Sequence, residues 1–253
     1  MEKAIIYQIF TRLFGNTNTT RKHNGTLTDN GCGKLNAFTP AVLRRIKELG
    51  ATHVWYTGVI RHATTTDYTR YGIPRQHPAV VKGNAGSPYA ITDYYDIDPD
   101  LATNVEKRMN EFESLVKRTH KAGLKMIIDF VPNHVARQYK STAKPKGIAD
   151  FGENDNTGMQ FSPQNNFYYC PEQSFAADID LYHGEELPYE EFPAKATGND
   201  CFRNRPGRND WYETVKLNYG VDYCDAEYPH TSPPLQTLGR RCSTYCYFGQ
   251  EKE

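Results

Sequence analysis

The chain has 253 residues with 30 basic and 30 acidic side chains, so its formal net charge is zero. Without a basic stripe it is not expected to bind nucleic acid, and no apolar run approaches the about 20 residues that span a membrane. No secretory signal is visible at the N-terminus. We therefore predict a cytoplasmic protein with no nucleic-acid or membrane partner. The 18 tyrosines combine a flat ring with a hydroxyl group, which suits polar ligands such as sugars.

Three apolar runs have the length and composition of β-strands. They lie at residues 4–10 (AIIYQIF), 52–57 (THVWYT) and 124–131 (LKMIIDFV). The third run is almost entirely apolar, which is typical of a strand that is buried on both faces of a parallel sheet. Residues 58–89 lack any period and predict a long irregular loop.

A helix is predicted after each of the first two strands. The first helix has Thr39 as its N-cap and Pro40 in its first helical position. The second is predicted to begin at a capping box formed by Thr103 and Glu106. A glycine follows each helix and ends it.

The order of these elements predicts a parallel sheet with right-handed crossovers, either doubly wound or closed into a barrel. A doubly wound nucleotide-binding fold carries a glycine fingerprint directly after its first strand. The nearest candidate, residues 31–34 (GCGK), lies some twenty residues beyond that strand and lacks the third glycine. Long loops after the strands and short helix-to-strand connections favour a barrel with one functional face.

Three segments resemble the alpha-amylase family of glycosidases, glycoside hydrolase family 13. Residues 6–10 (IYQIF) are similar to its first strand, and residues 89–94 (YAITDY) to its G-Y-x-x-x-D-Y segment, with Pro88 replacing the glycine. Residues 129–134 (DFVPNH) match its region D-x-V-x-N-H after the third strand. The resemblance covers about residues 4–230. It implies an α/β fold, the N-terminal portion of a (β/α)8 TIM-type barrel with an irregular insert domain after the third strand.

The resemblance divides the chain into three parts. Residues 1–134 are expected to form the first three strands and two helices of the catalytic barrel, and residues 135–230 an insert domain. Residues 231–253 show no amphipathic period and are predicted to be an atypical tail. Either a change of reading frame near Pro233 or a natural short variant with its own tail would account for them.

The same resemblance implies roles for four residues. Asp129 and His134 are expected to bind the sugar next to the scissile bond, and Tyr89 to stack on its ring. Asn133 matches a position that ligates calcium in many family members, so calcium is the expected cofactor; an amide oxygen suits such a hard cation. From the residues alone, Asp129 at the end of an apolar strand needs polar partners, which a sugar or the loop backbone would supply.

The implied activity is retaining hydrolysis of alpha-glucosidic bonds in starch-type glucans or maltooligosaccharides. This chemistry uses two carboxyl groups about 5 Å apart, and the family carries its nucleophile in a G-x-R-x-D segment that this sequence lacks. The acidic residues of the insert region match none of the family's motifs: Glu153, Asp155, Asp222, Asp225 and Glu227. We therefore predict no catalytic residue here, and a truncated, inactive enzyme. The alternative is a non-catalytic carbohydrate-binding or interaction module derived from the same fold.

Overall fold

A computed structural model describes residues 3–177 and 188–223. The predicted tail, together with Asp225 and Glu227, lies outside the described residues. The helices and strands are, in chain order, β1 (Ile6–Phe10), α1 (Leu27–Asn30), α2 (Pro40–Glu48), β2 (His53–Thr57), β3 (Ile60–His62), β4 (Ile91–Ile97), α3 (Arg108–Lys121), β5 (Lys125–Ile128), β6 (His134–Ala136), β7 (Tyr169–Cys170), β8 (Ala194–Lys195) and β9 (Thr214–Lys216). Among the described residues, no helix combines the length and apolar character that crossing a membrane requires.

The three predicted strands are confirmed and form a parallel sheet in the order β1-β2-β5. The register places Ile6 beside His53 and His53 beside Lys125. Parallel strands linked by α2 and α3 correspond to the first part of a (β/α)8 barrel. The third strand is shorter than predicted, because its ladder ends at Ile128 and the next residue, Asp129, bonds to the end of β2 instead.

The first predicted helix is confirmed as α2. The Thr39 hydroxyl accepts a hydrogen bond from the backbone N–H of Val42 at 3.3 Å. Pro40 lies in the first turn, where its missing N–H would have no partner in any case. Gly50 follows the helix with a φ of +89°, a conformation that glycine adopts at little cost, and the chain enters β2 three residues later.

The capping box predicted at Thr103 and Glu106 is wrong. The chain enters α3 through a 3-10 turn, Val105–Lys107, and the Asn104 side chain caps it by accepting the backbone N–H of Glu106 at 3.1 Å. Glu111, in the first turn of α3, accepts the N–H groups of Thr103 at 2.9 Å and Asn104 at 2.7 Å. Because of the extra turn, the helix begins later than predicted. The capping carboxylate is therefore Glu111 and not Glu106, the residue that the capping-box pattern indicates.

Helices α2 and α3 cover one face of the parallel sheet. The buried side chains between them and β2 are Leu43, Ile46, Val54, Tyr56, Phe112, Leu115 and Val116. On the other face, here called the open face, Ile6 and Phe10 of β1 are 51% and 38% exposed. The prediction that the third strand is buried on both faces is therefore wrong for β5, which is only partly buried. In the described part of the chain, β5 has one neighbouring strand and no helix covers the open face.

An antiparallel pair lies beside this sheet, and its first strand falls where the sequence predicts only loop. Strand β3 falls within residues 58–89 and pairs with β4. All seven residues of β4 are buried, including Asp93 and Asp96. Carboxylates at buried positions interrupt the apolar pattern, so hydrophobic periodicity does not reveal this strand.

The guanidinium of Arg61 in β3 compensates these buried carboxylates. It lies 3.1 Å from Asp93 and 2.9 Å from Asp96. Its other N–H groups donate to the Thr142 hydroxyl and to the Lys140 carbonyl, both at 2.7 Å. Arg61 is 2% exposed, and a charge so deeply buried is tolerated only with such partners. The network joins the β3–β4 pair to the segment that follows β6.

The chain after β5 consists of short strands joined by long loops, and its division into an insert domain at residues 135–230 stays a prediction. Strand β6 pairs with β9 and β7 with β8, both antiparallel. One of its acidic residues, Asp155, accepts the backbone N–H groups of Asn166 at 2.8 Å and Phe167 at 3.0 Å, and the Tyr169 hydroxyl at 3.0 Å. Asp155 therefore stabilises a loop of this region.

Replacing Asp93 with Asn should destabilise the protein strongly. The Asp93 carboxylate also accepts hydrogen bonds from the Ser141 hydroxyl at 2.6 Å and the Thr142 N–H at 2.8 Å. The change weakens these bonds and leaves Arg61 with one charged carboxylate partner instead of two. Removing one partner of a buried ion pair costs about 3–5 kcal/mol. Because a second carboxylate remains beside Arg61, we expect a loss of about 3 kcal/mol in the free energy of unfolding in urea.

The matched control is Lys22→Ala, which removes an exposed ion pair with Asp29. Exposed pairs contribute little, so this variant should unfold like the unchanged chain. Equal stability of the Asp93→Asn variant would contradict the role given to the network.

Candidate functional site

Asp129 follows β5 and holds the end of β2. Its Oδ1 accepts the indole N–H of Trp55 at 2.8 Å, and its Oδ2 accepts the backbone N–H of Gly58 at 2.9 Å. Gly58 has a φ of +76°, which favours glycine at this turn. Each carboxylate oxygen has a second lone pair, so Asp129 can also accept from a sugar hydroxyl. The bonds to β2 are observed, and the sugar contact stays a prediction.

His134 begins β6 and is 7% exposed. Its Nδ1 accepts the Asn133 carboxamide N–H at 3.0 Å, and its ring also hydrogen-bonds with the backbone of Tyr89. Burial lowers the pKa of His134 to about 4; the bond to Tyr89 opposes this shift, and the Lys216 ammonium adds to it. The imidazole is therefore uncharged at neutral pH, which suits hydrogen bonds with neutral hydroxyl groups.

Tyr89 lies two residues before β4, and its side chain is 41% exposed. Partial burial raises the pKa of its hydroxyl, and the negative charge of nearby Asp129 adds to this shift. Together with the bond from Tyr89 to His134, this places the three predicted sugar-binding residues in one cluster, here called the predicted sugar site. They follow β2 and β5 at the carboxyl ends of the parallel strands, where barrel enzymes bind their substrates.

Asn133 is the predicted calcium ligand. Its carboxamide nitrogen donates to the Gly198 carbonyl at 2.7 Å as well as to His134, which leaves its Oδ1 as a free acceptor. Among residues 3–177 and 188–223, no three His, Cys, Asp or Glu side chains are grouped to hold a metal ion. These residues therefore do not supply a group of three charged ligands to act with the amide oxygen.

A positive charge lies beside His134, the residue that follows Asn133. Lys216 on β9 is opposite His134 in the β6–β9 register, and such paired residues lie on one face with their Cβ atoms about 5 Å apart. Lys216 is 8% exposed, and its ammonium pairs with the Asp200 carboxylate. It would repel a divalent cation and neutralise the carboxylate that could attract one. These residues do not fit a calcium site, and calcium at Asn133 stays a prediction that its surroundings disfavour.

The sequence did not predict two further neighbours of His134. A side chain on Gly198 would place its Cβ 2.8 Å from the Cβ of His134 and 2.6 Å from the Thr214 hydroxyl, so only glycine fits there. The Trp211 ring packs against the imidazole in an edge-on arrangement, with 5.3 Å between ring centroids. Strand alternation could have placed Trp55 beside Asp129, but no sequence signal indicates that β9 pairs with β6.

A cavity of about 710 Å³ lies away from this cluster, along the loop after β1. Its lining includes Arg12, Asn16 and Asn84 and no aromatic ring. The amide groups of Asn16 and Asn84 already donate to the backbone carbonyls of Asn30 at 2.9 Å and Asn24 at 2.6 Å. Because sugars need a free polar group and a ring to pack on, we place the candidate site at Tyr89 instead.

Comparison with known proteins points to one family. The profile of the alpha-amylase catalytic domain matches residues 8–189. The chain belongs to the alpha-amylase family. It is 32% identical over 139 residues to trehalose-6-phosphate hydrolase of Bacillus subtilis, a match that covers 55% of this chain and 18% of that protein. It is 28% identical over 174 residues to Maltase A2 of Drosophila melanogaster, covering 65% of this chain and 24% of that protein.

The likeness to solved structures concerns the fold. An alpha-amylase from Lactobacillus plantarum matches 98% of this chain and 37% of its own, with 19% identity and a TM-score of 0.51. The matches to the trehalose-6-phosphate hydrolase and to Maltase A2 show that the chain spans about a fifth to a quarter of the length of these curated relatives. The matched region of the alpha-amylase family includes all four predicted site residues, Tyr89, Asp129, Asn133 and His134.

Replacing Asp129 with Ala should leave the Trp55 indole and the Gly58 N–H without their acceptor. A donor that loses its partner costs about 1–3 kcal/mol, so we expect the free energy of unfolding to fall by about 2 kcal/mol. The Trp55 indole resonance in a proton–nitrogen NMR spectrum should also move. Asp129→Asn is the control, because it keeps one acceptor oxygen and should cost less. A Trp55 resonance that stays in place in the Ala variant would show that the bond does not form in solution.

Removing calcium should leave the thermal stability of the chain unchanged. The Lys216 ammonium already neutralises Asp200, so we expect the same unfolding midpoint in EDTA and in excess calcium, measured by scanning calorimetry. Lys216→Met, measured in both conditions, tests whether the ammonium is what excludes the ion. A midpoint several degrees higher in calcium for the unchanged chain would show that a calcium site forms after all.

Proposed function

We propose that this chain carries the sugar-holding part of an alpha-amylase-type site for alpha-glucosidic bonds of starch-type glucans. We further propose that a polypeptide of this sequence binds maltooligosaccharides without cleaving them. The observation that carries the proposal is the convergence of Tyr89, Asp129 and His134 at the carboxyl ends of the parallel strands. The family match and the similarity to a maltase support the substrate class.

Tyr89 would supply the apolar contact. About three fifths of its side chain is buried, and the remaining 41% is exposed, so the ring is held by the protein while part of it remains open. The C–H groups of a pyranose ring can pack on such a surface, and by analogy with aromatic pairs this adds about 1 kcal/mol beyond burial. Its backbone interacts with the ring of His134, so the stacking surface and the polar groups belong to the same part of the structure.

His134 and Asp129 would supply the polar contacts. The buried imidazole, whose pKa is lowered to about 4, remains neutral and needs no counter-ion from the ligand. Asp129 is oriented by Trp55 and Gly58, so its free lone pairs point in a fixed direction. A charged acceptor makes a stronger hydrogen bond than a neutral one, and a sugar hydroxyl can donate to it. Together these groups would hold and orient one sugar ring.

Cleavage requires further groups. Retaining hydrolysis needs a nucleophilic carboxylate and an acid/base about 5 Å apart. No G-x-R-x-D segment occurs in the sequence, and Asp129 is engaged in holding β2. Binding without turnover is therefore the function we assign to a polypeptide of this sequence, which also corresponds to a carbohydrate-binding module with this fold.

We expect maltotriose to bind weakly and to shift the resonances around Tyr89 in an NMR titration. Tyr89→Ala should weaken this binding about fivefold or more, the equivalent of about 1 kcal/mol. The matched control is Tyr7→Ala, because the Tyr7 side chain is similarly exposed, at 38%. Tyr7 shares a face of β1 with the buried Ile9 and is not part of the predicted sugar site. This control should bind like the unchanged chain.

The same samples should release no reducing sugar from starch or maltooligosaccharides. Release that depends on Asp129 would disprove the absence of turnover and would require a nucleophile elsewhere in the chain. No binding of maltotriose, or equal binding by the Tyr89→Ala and Tyr7→Ala variants, would overturn the proposed sugar site itself.

A further inference from the structure

Trp211 is an aromatic side chain that the resemblance does not assign to the site. It lies in the loop before β9, and its side chain is 42% exposed. Its backbone N–H donates to the Asn199 side chain at 3.0 Å, and its carbonyl accepts the N–H and the hydroxyl of Thr214, both at 2.9 Å. Single exposed aromatic residues are common on protein surfaces, so exposure alone indicates nothing. The position of the ring is what matters.

The Trp211 ring borders the predicted sugar site at His134. It packs edge-on against His134, with 5.3 Å between centroids and 64° between the ring planes. The His134 ring is also hydrogen-bonded to the backbone of Tyr89. One buried imidazole therefore contacts both the Trp211 ring and the backbone of Tyr89, and the side chains of Trp211 and Tyr89 are both partly exposed. One ring comes from the barrel portion, and the other from the region after β5.

The polar groups around Trp211 suit a ligand rich in hydroxyl groups. In the described part of the chain, the Trp211 indole N–H has no hydrogen-bond acceptor and the Asn133 Oδ1 has no donor, while the Asn133 amide nitrogen donates to His134 and to the Gly198 carbonyl. An indole face can pack on the C–H groups of a sugar while its N–H donates to a hydroxyl. A free donor, a free acceptor and an exposed ring thus lie around His134.

We propose that Trp211 forms a second sugar-stacking surface and holds a glucosyl unit adjacent to the one that packs on Tyr89. This inference rests on the proposed function, because it assumes a sugar at Tyr89. It specifies the ligand further, as an oligosaccharide of at least two glucosyl units rather than a single glucose. The structural basis is rigid: the Asn199 and Thr214 bonds hold the Trp211 backbone, and β9, which begins with Thr214, pairs with the strand that begins at His134.

The test compares glucose with maltotriose, using NMR titration of the full chain and the indole resonance of Trp211 as a reporter. Maltotriose should shift this resonance and glucose should shift it little. Trp211→Ala should weaken maltotriose binding about fivefold and leave glucose binding unchanged. Tyr89→Ala should weaken binding of both sugars. Trp211→Phe keeps a ring and should retain most of the affinity, and Phe192→Ala, which removes a ring that is 70% exposed in the same region, should have no effect.

Each outcome separates the two proposals. If maltotriose binding depends on Tyr89 but is equal in the Trp211→Ala variant and the unchanged chain, the second stacking surface is refuted and the proposed function stands. Equal losses for glucose and maltotriose in Trp211→Ala would also refute it, because they would mean that the indole only positions His134. If the unchanged chain binds neither sugar, the proposed function fails and this inference fails with it.

Discussion

The buried guanidinium of Arg61 is the constraint on which the arrangement of the site depends. A cation that is 2% exposed cannot be left without partners, because the cost of removing a charge from water is large. Its partners come from two distant parts of the chain: Asp93 and Asp96 in β4, and Lys140 and Thr142 after β6. The network therefore fixes β4 and the segment after β6 relative to each other.

This connection explains why two separate loops meet at one place. Tyr89 lies two residues before β4, and His134 is the first residue of β6, so each site residue is adjacent to an element that the Arg61 network holds. Asp93 extends the connection by accepting bonds from Ser141 and Thr142. The parallel sheet, in contrast, has its own core with α2 and α3.

The electrostatics of the cluster favour a neutral, hydroxylated ligand over a cation. His134 is uncharged at neutral pH because of burial and of the neighbouring Lys216 ammonium. Lys216 and Asp200 neutralise each other, and Asp129 remains as the charged acceptor, braced by Trp55 and Gly58. Such an arrangement can bind hydroxyl groups through hydrogen bonds without a metal ion to organise it.

The sequence by itself determined the parallel strands, the helix that begins after Thr39, and the family. These features have local causes: apolar runs of strand length, a capping residue followed by proline, and the segment DFVPNH directly after an apolar strand. The residues of the predicted sugar site could be named because these segments resemble motifs of that family.

Only the tertiary structure decided the rest. Hydrophobic periodicity does not reveal the β3–β4 pair, because β4 carries buried carboxylates. Arg61 on β3 balances their charge, and that contact forms only when the two strands pair. The start of α3 depends on Glu111, which reaches back to Thr103 and Asn104. The pairing of β6 with β9 brings Lys216 and Trp211 to His134 across some eighty residues of chain. Contacts between residues so far apart depend on how the chain folds back on itself, and no local pattern of residues encodes that path.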